Sequence, residues 1–165
     1  MTSTKPYVID ANVFIEAHRR YYSFELAPGF WSLLVEANQA GRVTSIDRVQ
    51  TELEKGKDVL AAWAGDHDEI FSSTNDDATI AAYSQVMEWV QAQPQFRDAA
   101  KAAFAAGADG WLIAFALAHG YTVVTHEQAS AAARNRVPMP NVCQAVKAAW
   151  TDPFTMLRAI GLRLG

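Results

Sequence analysis

Apolar residues in this chain fall in short runs that alternate with longer stretches at helical spacing. Tyr7-Val8-Ile9 runs straight into Asp10, which predicts a first strand over residues 7–10. A helix is expected over 12–20, with Val13, Phe14 and Ala17 on one face and the Asn12 or Asp10 side chain as its cap. Pro28 suits the first turn of a second helix, about 28–40, whose stripe is Phe30, Leu33, Leu34 and Ala37 and whose stop is Gly41. Val43 to Ile46 reads as a second strand, followed by a helix capped by Asp47 or Ser45 that carries Val49, Glu52 and Leu53. Gly56 breaks that helix, and another takes Val59, Leu60, Ala62 and Trp63. A polar turn, 65–69, leads to a brief strand at Ile70-Phe71. Asn75, Asp76 and Asp77 cap a long helix through Val90, and further helices follow over 96–106 and 109–119. Tyr121 to Thr125 is the clearest strand, β-branched and apolar. After Glu127 helix is expected to resume through Ala133, Asn141 to Cys143 is expected to be the last strand, and Thr151-Asp152-Pro153 is expected to cap a closing helix with Phe154, Met156, Leu157 and Ile160.

Short strands separated by one or two helices mean βαβ units. The expected fold is therefore a single α/β domain over 1–165: a three-layer α/β/α sandwich around a short parallel sheet of about five strands. The 165 residues, half of them hydrophobic, suffice for one sizeable core. A lone cysteine, Cys143, allows no internal disulfide and suggests a reducing, cytoplasmic setting. No leader-like or membrane-spanning run is visible.

Charge changes the picture. Residues 1–100 hold 8 Lys/Arg and 15 Asp/Glu, and residues 101–165 hold 6 and 3, so a half of net −7 adjoins one of net +3. Ordinary surface scatter accounts for this equally well as a cation-seeking site beside a phosphate-holding strip. The acids are more informative by position. Asp10 and Glu127 follow strands, Glu52 lies two turns past a strand, and Asp109 opens a helix, all at what should be the carboxyl edge of the sheet. Each has an ordinary use alone: Asp10 and Asp109 as caps, Glu52 on the surface, Glu127 in a first helical turn. Gathered together they would repel, a cost that a hard divalent cation offsets. His67 with Asp66, Asp68 and Glu69 precedes a strand and reads as a solvated turn at the opposite edge.

Val8-Ile9-Asp10-Ala11-Asn12-Val13-Phe14-Ile15 resembles the opening motif of PIN-domain proteins, which include VapC-type toxins of toxin–antitoxin pairs. Ala108-Asp109-Gly110-Trp111 and the Thr125-His126-Glu127 step resemble that family's second half, and Glu52 matches its middle acid. The resemblance covers about residues 7–145 and is nearest to a PIN-like subfamily with Trp63 after a Lys-Gly-Lys break and a late Pro-Asn-Val segment. It implies a Mg²⁺- or Mn²⁺-dependent ribonuclease in which Asp10, Glu52, Asp109 and Glu127 are catalytic and metal-binding and Asn12 and Thr125 support them. The fourth acid is usually Asp; Glu127 is one methylene longer, which suits contact through water. Asp47 and Glu54 are substitutes for Glu52 should the register differ. Arg48, Lys55, Lys57, Arg134 and Arg136 are candidates to hold RNA phosphates. An RNA substrate, a small antitoxin partner and a homodimer also follow from the resemblance. The alternatives are a PIN scaffold that binds RNA or protein without cutting and, more remotely, a haloacid-dehalogenase-like phosphatase, whose motif wants Asp where this chain has Asn12. A response-regulator receiver would need a late lysine after a strand, and Lys147 is poorly placed for it.

Overall fold

The computed structural model describes residues 5–161. Five strands, β1 (Tyr7–Ile9), β2 (Val43–Ile46), β3 (Phe71–Ser72), β4 (Thr122–Val124) and β5 (Trp150–Thr151), form one sheet in the order β3-β2-β1-β4-β5. Every pairing is parallel; Val8 lies between Thr44 on one side and Val123 on the other. Val8, Ile9, Ile46, Val123 and Val124 are buried, as expected of a parallel sheet covered on both faces.

Helices α1 (Ala11–Glu16), α2 (Pro28–Gln39), α3 (Asp47–Glu54) and α4 (Val59–Asp66) form one layer. The other layer consists of α5 (Asp77–Ala92), α6 (Asp98–Ala106), α7 (Asp109–His119) and α8 (Met139–Val146), with α5 lying along α7. Helix α9 (Pro153–Ile160) closes back on the first layer, where Leu157 meets Val13, Ala17 and Phe30. The expected three-layer α/β/α architecture is the one found. α7 is apolar almost all round because it is the central helix of its layer, with Leu112, Ile113, Ala114 and Ala116 buried. No single helix is long and apolar enough to cross a membrane among the described residues.

Four local expectations are corrected. The helix expected over 12–20 stops at Glu16 and continues as one wide π turn, Ala17–Tyr21, in which Tyr22 N bonds Ala17 O at 2.7 Å. Neither Asp10 nor Asn12 caps α1 with its side chain; at α3 Asp47 lies inside the first turn, where its Oδ1 accepts from Arg48 N at 2.8 Å, while the Ser45 hydroxyl donates to Ile9 O at 2.6 Å, tying β2 to β1. The stretch after Glu127 is a loop, not a helix. Its backbone carbonyls find side-chain donors instead, Gln95 Nε2 to Ala131 O and Ala133 O, and Asn141 Nδ2 to Ser130 O. Such long-range partners outweigh the helix propensity of Ala131 to Ala133. Finally, Asn141 to Cys143 is helical within α8, and the last strand is Trp150–Thr151. Pro140 sits in the first turn of α8, where a missing N–H costs nothing, and Met139, Val142, Cys143 and Val146 make its buried stripe.

Candidate functional site

In this strand order the chain winds outward from β1 through β2 to β3, then returns to place β4 on the other side of β1. The switch point of the sheet thus lies between β1 and β4, and in open α/β sheets the crevice beyond the carboxyl ends there is where ligands bind. Asp10 follows β1 directly, and Thr125 and Glu127 follow β4. Asp10 N bonds Val124 O at 3.0 Å and Thr125 N bonds Thr151 O at 3.1 Å, so both loops leave the sheet in fixed register.

Asp10 is 4% exposed. Its Oδ2 accepts from the Thr125 hydroxyl at 3.1 Å, and the same hydroxyl oxygen accepts from Glu127 N at 3.1 Å. One threonine therefore sets both the rotamer of Asp10 and the turn that presents Glu127. Burial raises the Asp10 carboxyl well above its ordinary range, and the charges of Asp109, Glu127 and Glu52 push it further; only the Thr125 hydrogen bond opposes them. Asp109, in the first turn of α7, is pushed up to about 7, by burial first and then by Glu127 and Glu52, while the Arg136 guanidinium pulls it down. The four acids singled out in the sequence thus share one field. Asp47, the nearest substitute for Glu52, does not belong to it: Asp47 accepts from Thr74 N at 3.1 Å and Thr74 Oγ1 at 2.9 Å, pinning the segment after β3 to α3. Glu54 is exposed and does not bear on the Asp10–Asp109 pair.

The two glutamates are held on opposite flanks. Glu52 Oε1 accepts from Ala108 N at 3.3 Å, just ahead of Asp109. The Glu127 side chain, 12% exposed, accepts from Arg136 Nη2 and from Met139 N, the latter at 3.4 Å. As the side chains stand, no three acidic, histidine or cysteine groups among the described residues are gathered tightly enough to ligate one ion. The donor chemistry nevertheless fits a hard cation: four carboxylates and a hydroxyl, all oxygen, around two aspartates whose ionisation is opposed by burial first and by neighbouring carboxylates second. Cys143 lies beneath, its thiol pushed up to about 12 by burial and then by Glu127, so it stays protonated and takes no part as a soft ligand.

The remaining candidates divide. Asn12 is exposed at the start of α1 and makes no side-chain hydrogen bond among the described residues. The Arg48 guanidinium lies 4.0 Å above the Trp111 ring and donates from Nε to Thr74 Oγ1 at 3.3 Å, so one face and one of its five N–H groups are engaged. Lys55 joins Arg48, Thr51, Glu52 and Gly107 around a crevice of about 180 Å³ on the Glu52 flank. Lys57 is exposed on the turn after α3 with φ of 52°, beyond that crevice. Arg134 and Arg136 line a larger open groove of about 420 Å³ with Gln128, Ser130 and Pro138, on the Glu127 flank. Several supports were not visible in the sequence: Ser45, Arg136 as partner of Glu127, the backbone of Ala108 and Met139, and the Tyr83–Trp111 stack at 3.8 Å that underlies Arg48. Gly110 had a signal, a glycine inside a helix start. A Cβ there would sit 3.1 Å from both the Phe104 and Tyr83 rings, so the absence of a side chain lets α5 and α6 close on α7 beside Asp109.

A short all-parallel sheet between helical layers, with acids at its switch point, is the PIN-like fold. The same fold occurs in a chain of the crystal structure of VapBC2 from Rickettsia felis bound to a DNA fragment from their promoter, with a TM-score of 0.53, 12% identity, and coverage of 88% of this chain and 97% of that one. The chain belongs to the family described as a domain of unknown function, DUF4411, whose model matches residues 7–164. No curated protein matches it.

Proposed function

We propose that the protein is a Mg²⁺- or Mn²⁺-dependent endoribonuclease and the toxin of a type II toxin–antitoxin pair. One observation carries this reading: two buried aspartates, Asp10 and Asp109, are held at a sheet switch point beside Glu52 and Glu127, where burial and the neighbouring carboxylates both oppose their ionisation and a bound cation would favour it. The likeness of fold to a chain of a VapBC complex supports it. Asp10 and Asp109 would hold the cation, with Glu52 and Glu127 reaching it directly or through water. The cation supplies charge neutralisation and an activated water for phosphodiester hydrolysis. Thr125 keeps Asp10 oriented, as outer partners of metal ligands do. Lys55 on one flank and Arg134 and Arg136 on the other hold the phosphates before and after the cut; Arg136 can do so once Glu127 turns to the cation. A small antitoxin covers the acidic edge, the active form is a homodimer, and the setting is cytoplasmic, where Cys143 stays reduced.

The pairing of Glu127 with Arg136 favours one other reading, a scaffold that binds RNA or protein without cutting. A cleavage assay separates the two. A mixed pool of structured and single-stranded RNAs is incubated with Mg²⁺, Mn²⁺ or EDTA, by wild type and Asp10→Asn in parallel. Metal-dependent cutting that the variant lacks is the expected result. Equal cutting by both removes Asp10 from the site, and no cutting together with no Mn²⁺ uptake by calorimetry leaves the scaffold.

A further inference from the structure

Most aromatic rings here are used up by other rings. Tyr22 stacks on Phe30 at 4.6 Å, Phe24 on Trp31 at 4.1 Å, and Trp111 lies between Tyr83 and Arg48. One group is turned outward. Tyr21, His126 and Phe154 meet one another at 5.7 to 6.2 Å between ring centroids, and Tyr21 and Phe154 remain 51% and 39% exposed. They come from three elements: the π turn, the loop after β4 and the first turn of α9. Beneath them Val13, Ala17 and Leu157 leave a void of only about 10 Å³, so the rings are supported from below. His126 stands between Thr125 and Glu127, which places the cluster at the border of the acidic site.

We propose that Tyr21, His126 and Phe154 form a stacking platform for an unpaired base of single-stranded RNA next to the acidic site. The inference rests on the nuclease reading and deepens it by naming the rings that would hold a base of the substrate. Rings fixed at a surface gain from stacking a base whatever its identity, and only an unpaired, splayed base offers its face. Cations flank the rings along the chain, Arg19 before Tyr21 and Arg134 in the loop that His126 opens, whereas Arg20 pairs with Glu16 at 3.1 Å and Arg136 with Glu127. Basic and aromatic residues interleaved in this way suit a polyanion carrying flat bases better than an apolar protein surface. The π turn is a second, independent pointer. Such single wide turns occur often at functional sites, and this one carries Tyr21 to the cluster.

The test is binding, not turnover. The Asp10→Asn protein, with Mn²⁺, is titrated into a short fluorescein-labelled single-stranded RNA and into the same strand annealed to its complement, and anisotropy is read over a range of salt. Adding Tyr21→Ala should weaken single-strand binding by about 5- to 150-fold and leave duplex binding and the salt slope unchanged, while Tyr21→Phe binds as the parent does. Phe154→Ala should give a smaller loss of the same kind and serves if Tyr21→Ala fails to fold. Unchanged single-strand affinity in both alanine variants overturns the platform, as do an equal loss on duplex, and no RNA binding by the parent. Dissociation of a dimer by Tyr21→Ala at unchanged RNA affinity also overturns it and assigns the rings to an interface between copies. Failure of the nuclease reading shows separately, as wild type that cuts no RNA with Mn²⁺.

Discussion

Replacing Asp109 by Asn should stabilise the fold, and by an amount that depends on pH. Asp109 has a carboxyl pushed up to about 7 from 3.8, by burial and by the neighbouring glutamates. Below pH 3.8 the carboxyl is protonated in the folded and unfolded chains alike and costs nothing. Between pH 3.8 and about 7 the unfolded chain ionises first, so stability is lost steadily as pH rises, and the full penalty stands above 7. At 1.36 kcal/mol for each pH unit, that penalty is about 4 kcal/mol. Asn keeps the shape without the charge, and no hydrogen bond of the Asp109 side chain is at stake among the described residues. In a chain of this size about 4 kcal/mol corresponds to roughly 10 °C in Tm. Thermal denaturation followed by circular dichroism, without divalent metal, should therefore find Asp109→Asn close to wild type at pH 4 and markedly more stable at pH 8. A variant whose Tm difference from wild type stays flat from pH 4 to pH 8 would refute the account of a charge-strained pair. Adding Mn²⁺ at pH 8 should close the gap by raising the wild type alone, since a ligand that binds only the folded state stabilises it by mass action.

Removing the hydroxyl in Thr125→Val should lower Mn²⁺ affinity about 10- to 100-fold by calorimetry, whereas Thr125→Ser should retain it; equal losses in both would mean the methyl group matters and the hydrogen bond to Asp10 does not. Arg136→Gln removes the cation that pulls Asp109 down, so the Asp109 carboxyl should titrate above 7 by carbon-detected NMR, and an unmoved titration would separate Arg136 from the site. Ser45→Ala should cost about 1–2 kcal/mol in urea unfolding, because it strips the buried Ile9 carbonyl of a donor at 2.6 Å. Gly110→Ala should cost about 1–3 kcal/mol, since its methyl meets two packed rings at 3.1 Å; a neutral result would show that Tyr83 and Phe104 can retreat.

Local signals alone determined much of this protein. The buried β-branched runs of β1, β2 and β4, the caps at Asp76 and Asp152 and the stops at Gly41 and Gly120 are written in neighbouring residues, because strand burial, capping and left-handed turns depend on a few positions at a time. The α/β class followed from that punctuation, whereas each of the four acids, one after β1, one after β4, one opening α7 and one along α3, had an ordinary use alone and was grouped with the others by the family resemblance. What only the tertiary structure decided involves partners far apart in the chain. The run after Glu127 is a loop because Gln95 and Asn141 claim its backbone, and Asn141 to Cys143 is helix with Val142 and Cys143 in a buried stripe, while Trp150 and Thr151 pair with β4 instead. The strand order that puts Asp10 beside Thr125, the turning of Glu127 toward Arg136 and the meeting of Tyr21 with Phe154 likewise join residues from distant segments. Periodicity reports which face of an element is buried, but it carries no information about which element buries it, and the charge field of a site is set by the second of these.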